Sequence, residues 1–170
     1  MSGILRVDSL QNEAANITIP VTYLPGRLLQ RKRRFYYDGS WNPGNTYYPL
    51  PGSWIDLTPM SDNSIIKYSF IHGTGHRGNN SFNIFHYKFY VNGGEYARHT
   101  ESNNHQESGH TKTYEVQSWG KGIQGNMGFA TRQYSDGNHC THFHRTNYWN
   151  GGGSDIDMPA QVIVEERTLT

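Results

Sequence analysis

Between Trp54 and Gly73 the chain reads WIDLTPMSDNSIIKYSFIHG, a stretch that commits it to β structure. Residues 65 to 71 alternate strictly: Ile66, Tyr68 and Phe70 fall on one face, Ile65, Lys67, Ser69 and Ile71 on the other. The first set is assigned to the interior, because Lys67 and Ser69 tolerate water and the aromatic rings remove most apolar area from it. Trp54, Ile55 and Leu57 make a short strand that must stop at Pro59, which cannot donate to a central ladder. Ser61-Asp62-Asn63-Ser64 supplies the turn between the two strands.

The same alternation recurs along the chain. Residues 82 to 91, FNIFHYKFYV, place Phe85, Tyr87, Phe89 and Val91 opposite Ile84, His86, Lys88 and Tyr90. Asn92-Gly93 then reverses the chain, and Glu95 to Thr100 returns antiparallel. Further strands are predicted over Arg27 to Tyr37, Lys112 to Trp119, Asn126 to Tyr134, Cys140 to Arg145 and Met158 to Glu166. Glu101 to His110, ESNNHQESGH, is polar and aperiodic and is predicted to be an exposed loop with solvated histidines at 99, 105 and 110. His72-Gly73-Thr74-Gly75-His76 lacks the lysine and helix of a phosphate loop and is predicted to be a strand end and loop. With 19 Gly, 12 Tyr, 7 Phe and only 17% charged residues, the composition favours short strands joined by glycine turns.

Lys and Arg number 15 against 14 Asp and Glu, so no bulk field attracts nucleic acid or an anionic membrane. The basic run Arg31, Lys32, Arg33 and Arg34 splits between two faces of its strand. It reads as an edge strand protected by charge, or as a surface for an acidic glycan or an acidic neighbouring subunit. Cys140 is the single cysteine, so no intrachain disulfide is expected. The opening lacks the basic and apolar regions of a secretory signal, and no segment is long and apolar enough for membrane insertion.

Met1 to Gly26 is poor in aromatics and cannot form a core of its own. A frayed terminus is one reading of it. However, the opening GILRVDSLQN with ITIP, the entry Pro25-Gly26-Arg27-Leu28-Leu29-Gln30, the D-L-T-P-x-S turn with its long strand, the T-Y-x-V-Q core at Thr113 to Gln117 and the V-I-V-E-E ending occur in one order. In that order they resemble phage tail-fibre-like virion proteins, especially those of phages of cyanobacteria and other aquatic bacteria. The resemblance implies an all-β, jelly-roll-like antiparallel sandwich over residues 27–170, preceded by an attachment segment over 1–26 and assembled as a homotrimer. It implies a small tail fibre or fibre tip contributing to host adsorption, made without a signal peptide and carried on the phage particle. A neighbouring virion protein would be met through Ile4, Val7 and Leu10. A head fibre or decoration protein, or a lectin-like carbohydrate-binding module, remain alternatives.

Site chemistry is sparse. Cys140, His142 and His144 would share one face of a strand, and three copies about a threefold axis would offer six imidazoles from His142 and His144 to a metal ion. Ordinary hydrogen-bonded histidines are the alternative, and no other cofactor is expected. Glu165 and Glu166 point to opposite faces and cannot form an acid/base pair. No nucleophile context is present and no enzyme activity is expected. Asn147, Tyr148, Trp149 and Asn150, beside three glycines, are the expected contacts to a host surface glycan; otherwise the two rings cap the core.

Overall fold

The structure, a computed structural model, describes residues 9–11, 18–20, 26–37, 41, 43–76, 83–103, 108–134, 141–147, 155–157 and 159–169. β1 (Ser9–Gln11) and β2 (Thr18–Pro20) form a small ladder with Leu10 opposite Ile19. There follow β3 (Leu28–Tyr36), β4 (Tyr48–Pro49), β5 (Ile55–Leu57), β6 (Ser64–His76), β7 (Asn83–Val91), β8 (Gly94–Asn103), β9 (Ser108–Gln117) and β10 (Gly125–Gln133). Three short strands, β11 (Thr141–Phe143), β12 (Arg145–Asn147) and β13 (Asp155–Asp157), precede the last, β14 (Ala160–Thr168).

One sheet runs β3-β14-β6-β9, with β11 continuing the line of β14 along β6. The other runs β10-β7-β8, with β4 and β5 sharing the remaining edge of β10. With β4 and β5 counted as one interrupted strand, and β1, β2 and β11 to β13 set aside, the strand orders are 1-8-3-6 and 2-7-4-5. That arrangement is the jelly roll. The expected all-β sandwich is therefore present. The β7–β8 reversal is a two-residue turn with Asn92 at φ 51° and Gly93 at φ 78°, the backbone that matches strand twist.

The alternation read from sequence sets the core. Ile66, Tyr68, Phe70, Phe85, Tyr87, Phe89, Met127, Phe129, Val162 and Val164 are all fully buried between the sheets, while Val91 is only half-buried. Phe89 lies 4.4 Å from Tyr114 at an interplanar angle of 11° and 4.9 Å from Tyr68. The Tyr68 hydroxyl donates to the Ser53 carbonyl at 2.6 Å, so its burial leaves no orphan. Outside the sandwich, Trp54 lies against β10 at Gly128 and donates from Nε1 to the Phe129 carbonyl at 3.0 Å. A Cβ at position 128 would penetrate that ring. Gly128→Ala is therefore expected to lose roughly 1–3 kcal/mol and to change the tryptophan emission, measured together by urea unfolding followed by fluorescence.

Two sets of side chains fasten the layers. Glu166, fully buried at the inner face of β14, accepts from the backbone N–H groups of Met60 (2.9 and 3.0 Å) and Ser61 (3.1 Å). It also accepts from the Ser64 hydroxyl and the Gln30 amide, each at 2.6 Å. Along the open side, the inner row of the edge strand β3 reaches the unpaired carbonyls of the β5 region. Gln30 donates to Thr58 at 2.8 Å, Lys32 to Asp56 at 3.2 Å and Arg34 to Trp54 at 3.5 Å. Arg31 and Arg33 face outward, toward Glu165 and Gln161. This is the face-splitting that the sequence predicts for the basic run.

The sandwich has two dissimilar ends. At the near end the chain enters at Gly26, whose N–H donates to the Thr168 carbonyl at 3.0 Å, beside the start of β6 and the Asn92-Gly93 turn. At the far end lie the last residues of β6 and β8 and the first of β7 and β9, with β11 and Trp41. Two sequence expectations fail at this far end. β6 runs through the 72–76 stretch, and strand structure covers Glu101 to Asn103 and Ser108 to His110. Each segment finds a neighbour within its sheet, β6 in β9 and β11, the 101–103 segment in β7 and the 108–110 segment in β6.

Candidate functional site

At the far end the inward rows of the strands turn polar. They carry His72 and Thr74 on β6, His99 and Glu101 on β8, His110 and Lys112 on β9, and Thr131 and Gln133 on β10. Thr74 Oγ1 lies 2.8 Å from His110 Nε2, and His110 Nδ1 lies 3.6 Å from Glu101 Oε2. Lys112 pairs with the other Glu101 oxygen, and the Tyr114 hydroxyl lies 3.1 Å from His99 Nδ1. The Tyr87 hydroxyl lies 3.3 Å from His72 Nε2. The solvated-loop reading of His99 and His110 is thus corrected: both rings stand between the layers.

Burial keeps these imidazoles neutral. His72 is pushed well below its ordinary value by loss of solvent, and then by His110 and His144. His99 is lowered to about 4 by desolvation and by Lys112, and burial also lowers His110 and Lys112. The Glu101 carboxylate thus stands between Lys112 and two imidazoles, with His99 Nε2 at 3.8 Å from one oxygen and His110 Nδ1 at 3.6 Å from the other. Among the described residues no group of three or more His, Cys, Asp or Glu is arranged to hold a metal ion.

The sequence-derived candidates fall near this end. His142 lies in β11, but the strand stops at Phe143 and His144 takes φ 64°, so extended alternation does not run on to His144. Its ring is buried, with Nε2 donating to the Pro51 carbonyl at 3.0 Å, and desolvation lowers it to about 4 despite that bond. Asn147 ends β12, opposite Asp155 of β13. Tyr148, Trp149, Asn150 and Cys140 lie outside the described residues, as do Ile4 and Val7; Leu10 sits in β1.

Aromatic rings line several surface features among the described residues. A groove of about 630 Å³ at the near end is lined by Trp54, Asn92, Gln124 and Asn126 among others, and a pocket of about 310 Å³ at the far end by Trp41, Gly44, Tyr48 and Pro49. On the outer face of the β10-β7-β8 sheet, the Tyr47 ring lies 4.6 Å from Lys88 Nζ and 5.4 Å from the Arg132 guanidinium carbon. Sequence reasoning found the outward row His86, Lys88 and Tyr90 but missed Tyr47 and Arg132. Their meeting depends on the β7–β10 register, for which the local pattern holds no signal. The chain matches no protein-family model and no curated protein sequence.

Proposed function

We propose that the chain is a phage virion structural protein, a small tail fibre or fibre tip that contributes to host adsorption. In this reading it is a homotrimer held to a neighbouring virion protein by residues 1–26. The observation that supports it most is the opposition of the two ends. The described chain enters the sandwich at Gly26, bonded to Thr168, whereas Asn147, the first of the expected host contacts, ends the strand that follows Phe143 and His144 of the far end. Asn103 and Ser108, the described residues nearest the polar stretch, lie at that same end, opposite Asn83 and Thr74. A module entered at one end, with an expected contact residue following the other, suits a tip. The jelly roll itself serves viral capsid and lectin domains alike, so it supports the class without choosing within it. The Trp54 groove, with its amide side chains, favours a lectin-like carbohydrate-binding module as the second reading.

Gold-labelled antibody raised against residues 27–170 is expected to mark the tail tip in electron micrographs of virions. Label on the capsid would replace this reading with a head fibre or decoration protein, and unlabelled particles would refute both. Removing residues 1–25 should leave cooperative melting intact and abolish incorporation into particles, because among the described residues the bonds to the sandwich begin at Gly26. Light scattering of the full chain should give the mass of three copies.

A further inference from the structure

On the outer face of the β10-β7-β8 sheet, antiparallel register aligns Arg132, His86 and Thr100 in one row and Ala130, Lys88 and Arg98 in the next. The two cations of the second row are already engaged: Glu95 takes Lys88 at 2.8 Å and Arg98 at 2.6 Å. Arg132 is not. It is half-buried, rests near the Tyr47 ring, and has neither a carboxylate nor a hydrogen-bond acceptor among the described residues. Directly across the strand, His86 Nδ1 lies 2.7 Å from the Thr100 hydroxyl, while its Nε2 is shielded from solvent and unpartnered. If the hydroxyl donates to Nδ1, the ring hydrogen sits on Nε2. Desolvation, reinforced by Arg132, lowers the basicity of this imidazole, so at neutral pH, in that tautomer, it offers one N–H in the row of a permanently charged fork.

A buried polar atom without a partner is costly, and His86 Nε2, in one row with an Arg132 that has no acceptor among the described residues, calls for one. The shape of this one follows from the donors. A planar guanidinium takes a carboxylate through two parallel hydrogen bonds, and the imidazole N–H supplies a third contact from the neighbouring strand. Tyr134, 58% exposed with its ring 6.2 Å from that of His86, offers an apolar face at the rim on which a pyranose ring can rest. We propose that Arg132, His86 and Tyr134 form a subsite for the carboxylate of an acidic sugar, a uronic or sialic acid residue of a host surface polysaccharide. Arg132 binds the carboxylate, His86 fixes its orientation, and Tyr134 carries the ring. The subsite lies at the last residues of β10, at the far end of the sandwich, and it deepens the adsorption reading and rests on it for its biological role.

The test uses the full chain in calorimetric titration with oligogalacturonate and with N-acetylneuraminate, against a neutral galactose oligomer and inorganic phosphate. One of the acidic sugars should bind, the neutral oligomer should not, and phosphate should bind more weakly. Arg132→Gln should weaken the acidic sugar by roughly tenfold or more, with melting within about 2 °C of the parent, because among the described residues its charge meets only the Tyr47 ring and no carboxylate or hydrogen-bond acceptor. Arg132→Lys should recover only part of the loss, because an ammonium lacks the fork. Equal binding of the neutral oligomer, phosphate binding as tight as the sugar acid, no binding of either acid, or unchanged affinity in Arg132→Gln would each overturn the subsite. Binding by the isolated protein with unlabelled virions would leave the subsite standing and remove the virion reading. Labelled tail tips without binding would do the reverse.

Discussion

Replacing Glu166 with alanine is expected to cost on the order of 4 kcal/mol, a drop of roughly 10 °C in melting temperature for a chain of this size. The carboxylate is the shared acceptor of Met60 N–H, Ser61 N–H, the Ser64 hydroxyl and the Gln30 amide. Its removal strands backbone donors in a place where water cannot readily replace it, and that penalty exceeds the value of any one bond. Glu166→Gln should lose less, since one oxygen and the side-chain volume remain. Glu165→Ala provides the contrast. Its side chain faces outward to Arg31 at 3.5 Å and Arg167 at 3.2 Å, and exposed pairs of that kind contribute within about 1 kcal/mol. Chemical unfolding of the three variants should separate by these margins; equal losses at 165 and 166 would contradict the buried-acceptor account.

Acid should unfold the protein through its buried histidines. His144 is held at about 4 in the folded state, against about 6.5 in an unfolded chain. Between those values the unfolded state binds more protons, so stability is complete above about pH 6.5 and is lost as the pH falls toward 4. For His144 alone the loss is on the order of 3 kcal/mol. His72, lowered by complete burial, and His99, at about 4, act in the same direction. Melting measured at pH 7, 5.5 and 4.5 should therefore fall steeply. His144→Asn, chosen because asparagine tolerates positive φ, should flatten the slope. A melting temperature constant from pH 7 to 5 would exclude the mechanism.

The strands were legible wherever one face is apolar. Ile66, Tyr68 and Phe70, and again Phe85, Tyr87 and Phe89, announce burial by period two, and Asn92-Gly93 announces its own turn. The far end was not legible, because its inward positions are polar. His99 and Glu101 on β8 meet His110 and Lys112 on β9 only across the two layers, so locally they look like a solvated loop. Glu166 was visible as facing opposite to Glu165. Its role was hidden, since its donors at Met60 and Ser61 lie more than a hundred residues away. His144 escaped because a single residue of positive φ ends the alternation that would have placed it with His142.

The entry of the chain also settles how the sandwich would respond to force. Arg27 N–H donates to the Thr168 hydroxyl, Thr168 N–H to the Arg27 carbonyl, and from there β3 pairs antiparallel with β14 as far as Tyr36. Antiparallel bonds lie perpendicular to their strands. If the module is held by its N-terminal segment while a bound host pulls at the far end, tension runs along β3. The ladder to β14 is then loaded in shear, all its rungs sharing the load at once. A pull applied across the strand would instead unzip them one after another. Placing the tether at the near end and the contacts at the far end would thus let a thin edge strand act as a mechanical anchor.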